Sequence, residues 1–519
     1  MSYKATETLS QGSKRGFFYT RKMERISILA SITIIFLIYV AVLVSWVRAG
    51  QAGQAASSSY YDMLSKAFSR GQLNLVEAPS QSLLKLPDPY DPLQNKGLRV
   101  QDLSLYDGKY FLYWGPAPAV FIALTHLLIS FPIPDVFVVW FSLCGLLAFN
   151  ISIILWIKRR IFNDLPGWFT LMGIFLVGLS NPIPWILGRP VIYEAAIAGG
   201  QFFLMGGIYW CITGLDKPGL DIRRLFLAGL FWALAIATRM SLLIAIAFLV
   251  LFLTWLIGSK KLNLAPRHQG RLSLILVAAY LVPLTIMLGL LGLYNYFRFG
   301  SFWEFGQQYQ LSVINMHLFF QNNLLTSLNF ILPGFYNYVL MPLAGLSQRY
   351  PFIVLSKAGN GMHDFYPATS EYVLGVLWAL PFLIFAFIPG AFTLINELHL
   401  KGSTVISALK KLVYNRESGQ GWLPFLLTGT AFFGFLPMSL YYYSTMRYQA
   451  DFTPALILLS LYGYGTALKA CSDRPRTRQA LVLAASCLGI ISILSGIYLG
   501  INSSFLQFCI YPPSPLCSY

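Results

Sequence analysis

The sequence predicts an all-α polytopic membrane protein with about 11–13 transmembrane helices and two large non-cytoplasmic loops. Three observations predict it. Hydrophobic residues make up 56% of the 519, charged residues only 11%, and the mean hydropathy is +0.61. A water-soluble domain carries about 25% charged residues, so a chain this poor in charge cannot cover its own surface in water. The apolar residues fall in stretches of about 20, the length that crosses a hydrocarbon layer. Finally, Lys and Arg collect in alternate gaps between those stretches.

Apolar stretches place spans at 26–47, 135–157, 168–187, 195–213, 222–237, 240–257, 272–294, 371–393, 422–441, 451–468 and 480–500. Two further stretches, 111–131 and 324–345, are broken by Pro and Gly (GPAPA in the first, LPGFYNYVLMP in the second). They read as helices lying in or dipping into the outer interface rather than crossing. The segments assigned to the cytoplasm are 1–25, 158–167, 214–224, 258–271, 394–421 and 469–479. They hold 24 of the 37 basic residues but only 8 of the 20 acidic ones. If 111–131 crossed, the run Lys158-Arg159-Arg160 and the loops up to 271 would change sides.

The organisation that follows is a cytoplasmic N-terminus (1–25) and a transmembrane core (26–320) that includes the outer loop 48–134. C-terminal helices (321–500) with the outer loop 295–370 come next, then a non-cytoplasmic tail (501–519). Lys14, Arg15, Arg21, Lys22 and Arg25 precede the run from Ile26 to Val47, which is too long for a cleaved signal and reads as an anchor. In the first loop Tyr61, Leu64 and Phe68 fall at helical spacing, as in an amphipathic helix on the membrane surface. Asp107 in YDGKY reads as a hairpin turn. Spans 222–237 and 240–257 are separated by Arg239, a costly charge in lipid and a cheap one at a turn. Cys144, Cys211 and Cys487 lie in apolar stretches as small core residues. Cys471 sits in a basic loop, and Cys509 and Cys517 can pair if the tail faces an oxidising compartment.

Ionisable residues gather at the loop end of this topology. They are Asp62, Asp88, Asp91, Asp102 and Asp107, Arg189 and Glu194, Arg239, Arg298 and Glu304, His317, His363 and Asp364, and Arg447 and Asp451. Carboxylates can act as general bases, arginines can clamp a phosphate, and aromatics such as Tyr106, Tyr113, Trp114 and Trp303 can stack on sugar rings. The plainer readings are turn-forming aspartates, an aromatic belt, and structural ion pairs Arg189–Glu194 and Arg447–Asp451. The sequence has no GxxxxGK[ST], HExxH or GxSxG motif. Its basic residues sit in short loops between spans, which gives no support to nucleic-acid binding.

The order of parts over roughly residues 20–320 resembles the GT-C superfamily of membrane glycosyltransferases. It is similar above all to the bacterial branch of aminoarabinose transferase and protein O-mannosyltransferase relatives, in a subgroup without assigned reactions. The resemblance is carried by SYYDMLSKAFSRGQL, YDGKYFLYWGPAPAV, GRPVIYEAAIAGG, ALAIATRMSLL, NYFRFGSFWEFGQQYQL and RYQADFTP. It implies transfer of a sugar from a polyprenyl-phosphate-linked donor to an envelope glycan, lipid or protein acceptor at the outer face of a bacterial plasma membrane. Such enzymes place an aspartate near the start of the first outer loop. Here Ser57, Ser58 and Ser59 stand at that point, so Asp62, one turn later, and Asp107, at the loop's end, are the catalytic candidates. Substrate contacts are expected from Arg189, Glu194, Arg239, Tyr106, Arg298, Glu304 and Arg447, with Arg447 and either Arg189 or Arg239 holding the donor phosphate. A divalent metal ion is left open. A lipid-carrier flippase or transporter, and a non-catalytic member of the same fold, are the alternatives.

Overall fold

A computed structural model describes residues 3–51, 59–216, 220–259, 266–346, 348, 352–359, 371–391 and 421–505. His363, Asp364, the basic segment 394–420, Ser57, Ser58, Cys509 and Cys517 lie outside the described residues.

The helices follow the apolar stretches. In chain order they begin with α1 (Tyr3–Gln51), α2 (Tyr60–Ser69), α3 (Gln81–Leu84) and α4 (Ala117–Thr125). Next are α5 (Asp135–Arg160), α6 (Gly167–Leu179), α7 (Ile183–Gly188), α8 (Ile192–Leu215), α9 (Ile222–Thr238), α10 (Leu243–Ser259) and α11 (Pro266–Phe299). The short α12 (Met316–Gln321), α13 (Ile331–Phe335) and α14 (Val376–Ala379) precede α15 (Trp422–Leu440), α16 (Thr453–Ala470) and α17 (Pro475–Phe505). Among the described residues eight helical segments are long and apolar enough to cross a membrane. Shorter apolar helices stand at α9, α16 and Pro381–Ala391. The chain is a multi-pass integral membrane protein.

Three expectations are corrected. Residues 371–393 are not one span. Tyr372–Val373 is a strand, α14 ends at Ala379, Leu380 leaves the helical region with φ −144°, and the chain restarts as a helix at Pro381. The residue before a proline is driven out of the helical region, which explains the break. Helix α2 does not lie free on a membrane surface. Tyr61, Leu64 and Ala67 are buried, and the helix packs on α4. Cys487, expected in the core, is exposed on the outer face of α17 beside Leu483, Ile490 and Leu494, because in lipid an apolar side chain need not be buried in protein.

Neither broken stretch forms a helix long enough to cross. Helix α4 has nine residues, about 14 Å at 1.5 Å per residue against a hydrocarbon layer of about 30 Å. Leu124 on it and Leu127 and Leu128 in the turn that follows are exposed. Region 324–345 holds only short helical pieces, a 3-10 turn at Leu328–Phe330, α13 and a five-residue π-helical turn, Tyr336–Leu340, before the strand at Gly345, with α13 packed on α15.

Small residues let the helices approach. A Cβ on Gly229 of α9 would sit 2.2 Å from the Tyr280 carbonyl oxygen of α11. One on Gly207 of α8 would meet the Trp232 ring of α9 at 2.4 Å. Close backbone approach of this kind is how helices associate in lipid.

Antiparallel packing gives the bundle two unlike ends. At the basic end Lys469 reaches Asp164 (3.3 Å) and Arg160 reaches Asp216 (2.7 Å), joining the ends of α5, α6, α8 and α16. At the other end the two long loops interlock. The hairpin β1 (Ser104–Tyr106) and β2 (Lys109–Phe111) turns at Asp107 and Gly108, both with positive φ, the geometry an Asp-Gly turn favours. The Asp102 N–H donates to the Leu311 carbonyl (2.8 Å), and Leu311 returns a bond to Leu103 (2.9 Å). Loop 295–370 adds β3 (Gly345–Leu346) with β4 (Ile353–Val354), and β5 (Ser356–Lys357) pairs with β6 (Tyr372–Val373).

Asp62 ties α2 to this end. Its carboxylate receives the His126 ring (2.7 Å) and the Ile133 N–H (3.0 Å), and it pairs with Lys66 (2.7 Å). Burial pushes its carboxyl up, but Lys66, Ile133 and His126 outweigh that and hold it below the ordinary range. Asp62→Ala strands three donors. It is expected to cost about 2 kcal/mol and to speed hydrogen exchange in α2 but not in α8. Unchanged exchange in α2 would refute that anchoring role.

Candidate active site

The loop end is built around one arginine. Arg447 sits in a 3-10 turn, Met446–Asp451, between the α15 exit and α16. Flanking polar side chains hold that turn. Asp451 accepts three bonds from Arg239 (2.7–3.0 Å), and Gln449 receives the Asn181 amide (2.6 Å) while donating to the Leu374 carbonyl (2.7 Å). The turn's backbone also runs against α15, where a Cβ on Gly434 would lie 2.3 Å from the Asp451 carbonyl oxygen.

Arg447 is 3% exposed. It donates to both oxygens of Glu371 at 2.9 Å and lies 3.9 Å from Glu194. Its guanidinium stacks over the Tyr193 ring at 4.5 Å and stands 5.6 Å from the Tyr448 ring. Arg189 reaches the same Glu371 at 3.3 Å, so two guanidiniums converge on one carboxylate. Glu371 is placed by the bond from the Ala358 N–H to its carbonyl and by the adjacent β5–β6 pair. Burial pushes the Glu371 carboxyl up, but Arg447, Arg189 and the Thr445 hydroxyl outweigh it and bring it down to about 2. Glu194 is fully buried, and neither of its oxygens accepts a hydrogen bond.

Asp102 is the other pole. It is 6% exposed and takes φ +66°, a left-handed conformation rare outside glycine and tolerated best by Asp and Asn. Its carboxylate receives the Gln310 amide (2.7 Å), the Gln101 amide (3.1 Å) and the Tyr193 hydroxyl. Burial pushes its carboxyl up, against these donors and the nearby Arg447. Tyr193 therefore links the two poles, with its hydroxyl on Asp102 and its ring under Arg447. Tyr113, stacked on Trp114 at 4.0 Å, feels the charges of both Asp102 and Arg447.

The expected site residues distribute unequally. Arg189, Glu194 and Arg447 meet in this cluster. Arg239 borders it, 5.3 Å from the Tyr448 ring, but is committed to Asp451. The pairs read from chain proximity are exchanged: Arg447 bonds Glu371 rather than Asp451, and Arg189 bonds Glu371 rather than Glu194. Arg298 holds the Leu112 carbonyl (2.7 Å) and Asn295 (2.7 Å) with its face on Tyr294 (3.9 Å). Glu304 accepts from the Gly306 N–H and the Gln308 amide within its own turn. Tyr106 packs on Tyr309 (4.7 Å) and Phe299 (5.4 Å). Asp107 is exposed at the hairpin tip and lines a separate hollow of about 240 Å³ with Lys109 and Arg298. Asp62 is spent on α2. Among the described residues no group of three or more His, Cys, Asp or Glu is gathered as a metal site.

Sequence reading missed Glu371, hidden at the start of a stretch taken for a span, and ranked Asp102 as one loop acid among several. Nothing local distinguishes either residue. Both matter because loops distant in sequence close over them.

The fold and cluster define a helical membrane protein whose interlocked loops enclose buried arginines and carboxylates at one end. No protein-family model matches the chain, and no curated protein matches it. Among solved structures, the Archaeoglobus fulgidus oligosaccharyltransferase, crystallised with a tethered acceptor peptide containing the NVT sequon, is similar at a TM-score of 0.42 and 10% identity. The match covers 92% of this chain and 55% of the other, so the chain spans about half that protein's length. ArnT from Cupriavidus metallidurans, crystallised with undecaprenyl phosphate, is similar at a TM-score of 0.38 and 12% identity, over 92% of this chain and 76% of ArnT.

Proposed function

We propose that the chain is an inverting glycosyltransferase that takes a sugar from a polyprenyl-phosphate-linked donor. The observation that carries this reading is the convergence of Arg447 and Arg189 on a single carboxylate, beside a buried aspartate one tyrosine away. Two guanidiniums around an oxyanion form a phosphate clamp, and Glu371 occupies it in the free protein. The donor phosphate displaces Glu371. The ionised Asp102 carboxylate takes the proton of the acceptor hydroxyl, and the acceptor oxygen attacks the anomeric carbon. The bond from that carbon to the phosphate oxygen breaks, and polyprenyl phosphate leaves with the electron pair, its charge met by Arg447 and Arg189. Attack opposite the leaving group inverts the anomeric centre.

The charge bias supports a loop end facing away from the cytoplasm, and the proposal takes the chemistry to occur there, at the outer leaflet of a bacterial plasma membrane. The acceptor is then an envelope glycan, lipid or protein. A non-catalytic role is favoured by one observation, Glu371 already filling the clamp.

Purified protein, incubated with polyprenyl-phosphate sugars and envelope acceptors, decides between the two. Transfer with inversion is expected. Failure of any donor to bind, with no transfer, overturns the proposal. Glu371→Gln removes the competing charge, so polyprenyl phosphate is expected to bind several-fold more tightly, measured by displacement of a labelled lipid. Unchanged or weaker binding would mean that Glu371 does not occupy the phosphate position.

A further inference from the structure

At the basic end, far along the bundle from the cluster, the start of α6 and the start of α17 border a hollow of about 530 Å³. That is within the size range of small-ligand sites. Arg478, Gln479 and Ser472 form its polar wall, and Trp168, Val482 and Leu483 its apolar wall. Arg474, one helical turn before Arg478, and Arg476 are exposed beside it. Among the described residues none of these three arginines enters a salt bridge, whereas Arg160, Arg224 and Lys469 at the same end each pair with an aspartate. Below the hollow, α17 exposes a continuous apolar stripe. Leu483 is 67% exposed, Ile490 57% and Leu494 54%, and their spacing puts them on one helical face.

We propose that this hollow is a binding site for one anionic phospholipid, its phosphate held by Arg478 with Arg474 and its acyl chains laid along the α17 stripe. Charge complementarity selects the head, because Arg478 lines the hollow and Arg474 and Arg476 stand just before it in the chain, all three without a salt bridge among the described residues. The stripe selects a lipid over a free anion, since it continues from the hollow in the direction that acyl chains take. Trp168 in the apolar wall is the kind of amphipathic ring that settles at the level of lipid headgroups. Each basic residue near an anionic lipid surface contributes roughly five-fold in affinity.

The test is native mass spectrometry of the full chain in detergent, titrated with phosphatidylglycerol or phosphatidylcholine. One phosphatidylglycerol is expected to be retained in preference to phosphatidylcholine, with retention falling at least five-fold in Arg478→Gln and further in Arg474→Gln/Arg478→Gln. Arg223→Gln, an exposed arginine at the same end outside the hollow, is expected to retain lipid as the parent does. Equal retention of both lipids overturns the proposal. So does an equal loss in Arg223→Gln, which would indicate diffuse surface charge. Full displacement by inorganic phosphate would assign a free-anion site instead. Circular dichroism of each variant separates loss of the site from loss of the fold.

Discussion

Asp102→Asn is expected to lower sugar transfer by roughly 10²–10⁴-fold, the usual contribution of a positioned general base, while the protein stays folded. Asparagine tolerates the left-handed backbone that Asp102 adopts at φ +66°. Its carbonyl oxygen can still accept from Gln310 or from Tyr193, so packing around the residue is retained. The missing property is the capacity to take a proton. Asp107→Asn, at the exposed hairpin tip, is expected to transfer at the parent rate. Residual activity within ten-fold of the parent in Asp102→Asn would remove Asp102 from the mechanism.

The pH profile supplies a second readout. Burial pushes the Asp102 carboxyl above the ordinary aspartate range. A base works ionised, so the rate should rise with pH through that elevated value, and the acid limb should be absent in Asp102→Asn. Stability runs the other way. The folded state holds this proton more tightly than the unfolded chain. The contribution is therefore fully present below the unfolded pKa and is lost as pH rises through the folded one.

Arg447→Ala is expected to destabilise the protein by about 3 kcal/mol, the cost of removing one partner from a buried ion pair, and to abolish donor binding. The cause is what remains. Glu194 is fully buried with no hydrogen bond to its oxygens, and Glu371 loses its two 2.9 Å contacts. The measurement is the thermal unfolding midpoint in detergent. The triple variant Arg447→Met, Glu371→Gln, Glu194→Gln removes the charges together and should recover most of the midpoint without recovering donor binding. A single variant as stable as the parent would show that water or another cation already satisfies those carboxylates.

The partners of Arg239 and Arg447 illustrate what chain proximity hides. Arg447 and Asp451 are four residues apart, the spacing of a helical ion pair, yet the segment is a 3-10 turn and the two side chains serve different partners. Glu371 looked like the edge of an apolar span, because hydropathy averages over a window and ignores what Pro381 does to the residue before it.

The sequence by itself indicated most of the spans, with 371–393 the exception, the hairpin at Asp107–Gly108 and the turn at Arg239. Each follows from local energetics: the length of hydrocarbon to be crossed, the φ values a residue tolerates, and the cost of a charge in lipid. Only the tertiary structure decided that Asp62 anchors a helix through His126 and Ile133, that Asp102 is buried under Tyr193 and Gln310, and that Arg189 and Arg447 share Glu371. Those are pairings between loops dozens to hundreds of residues apart. A charge chooses its partner by distance and burial, and neither is set until the bundle has closed.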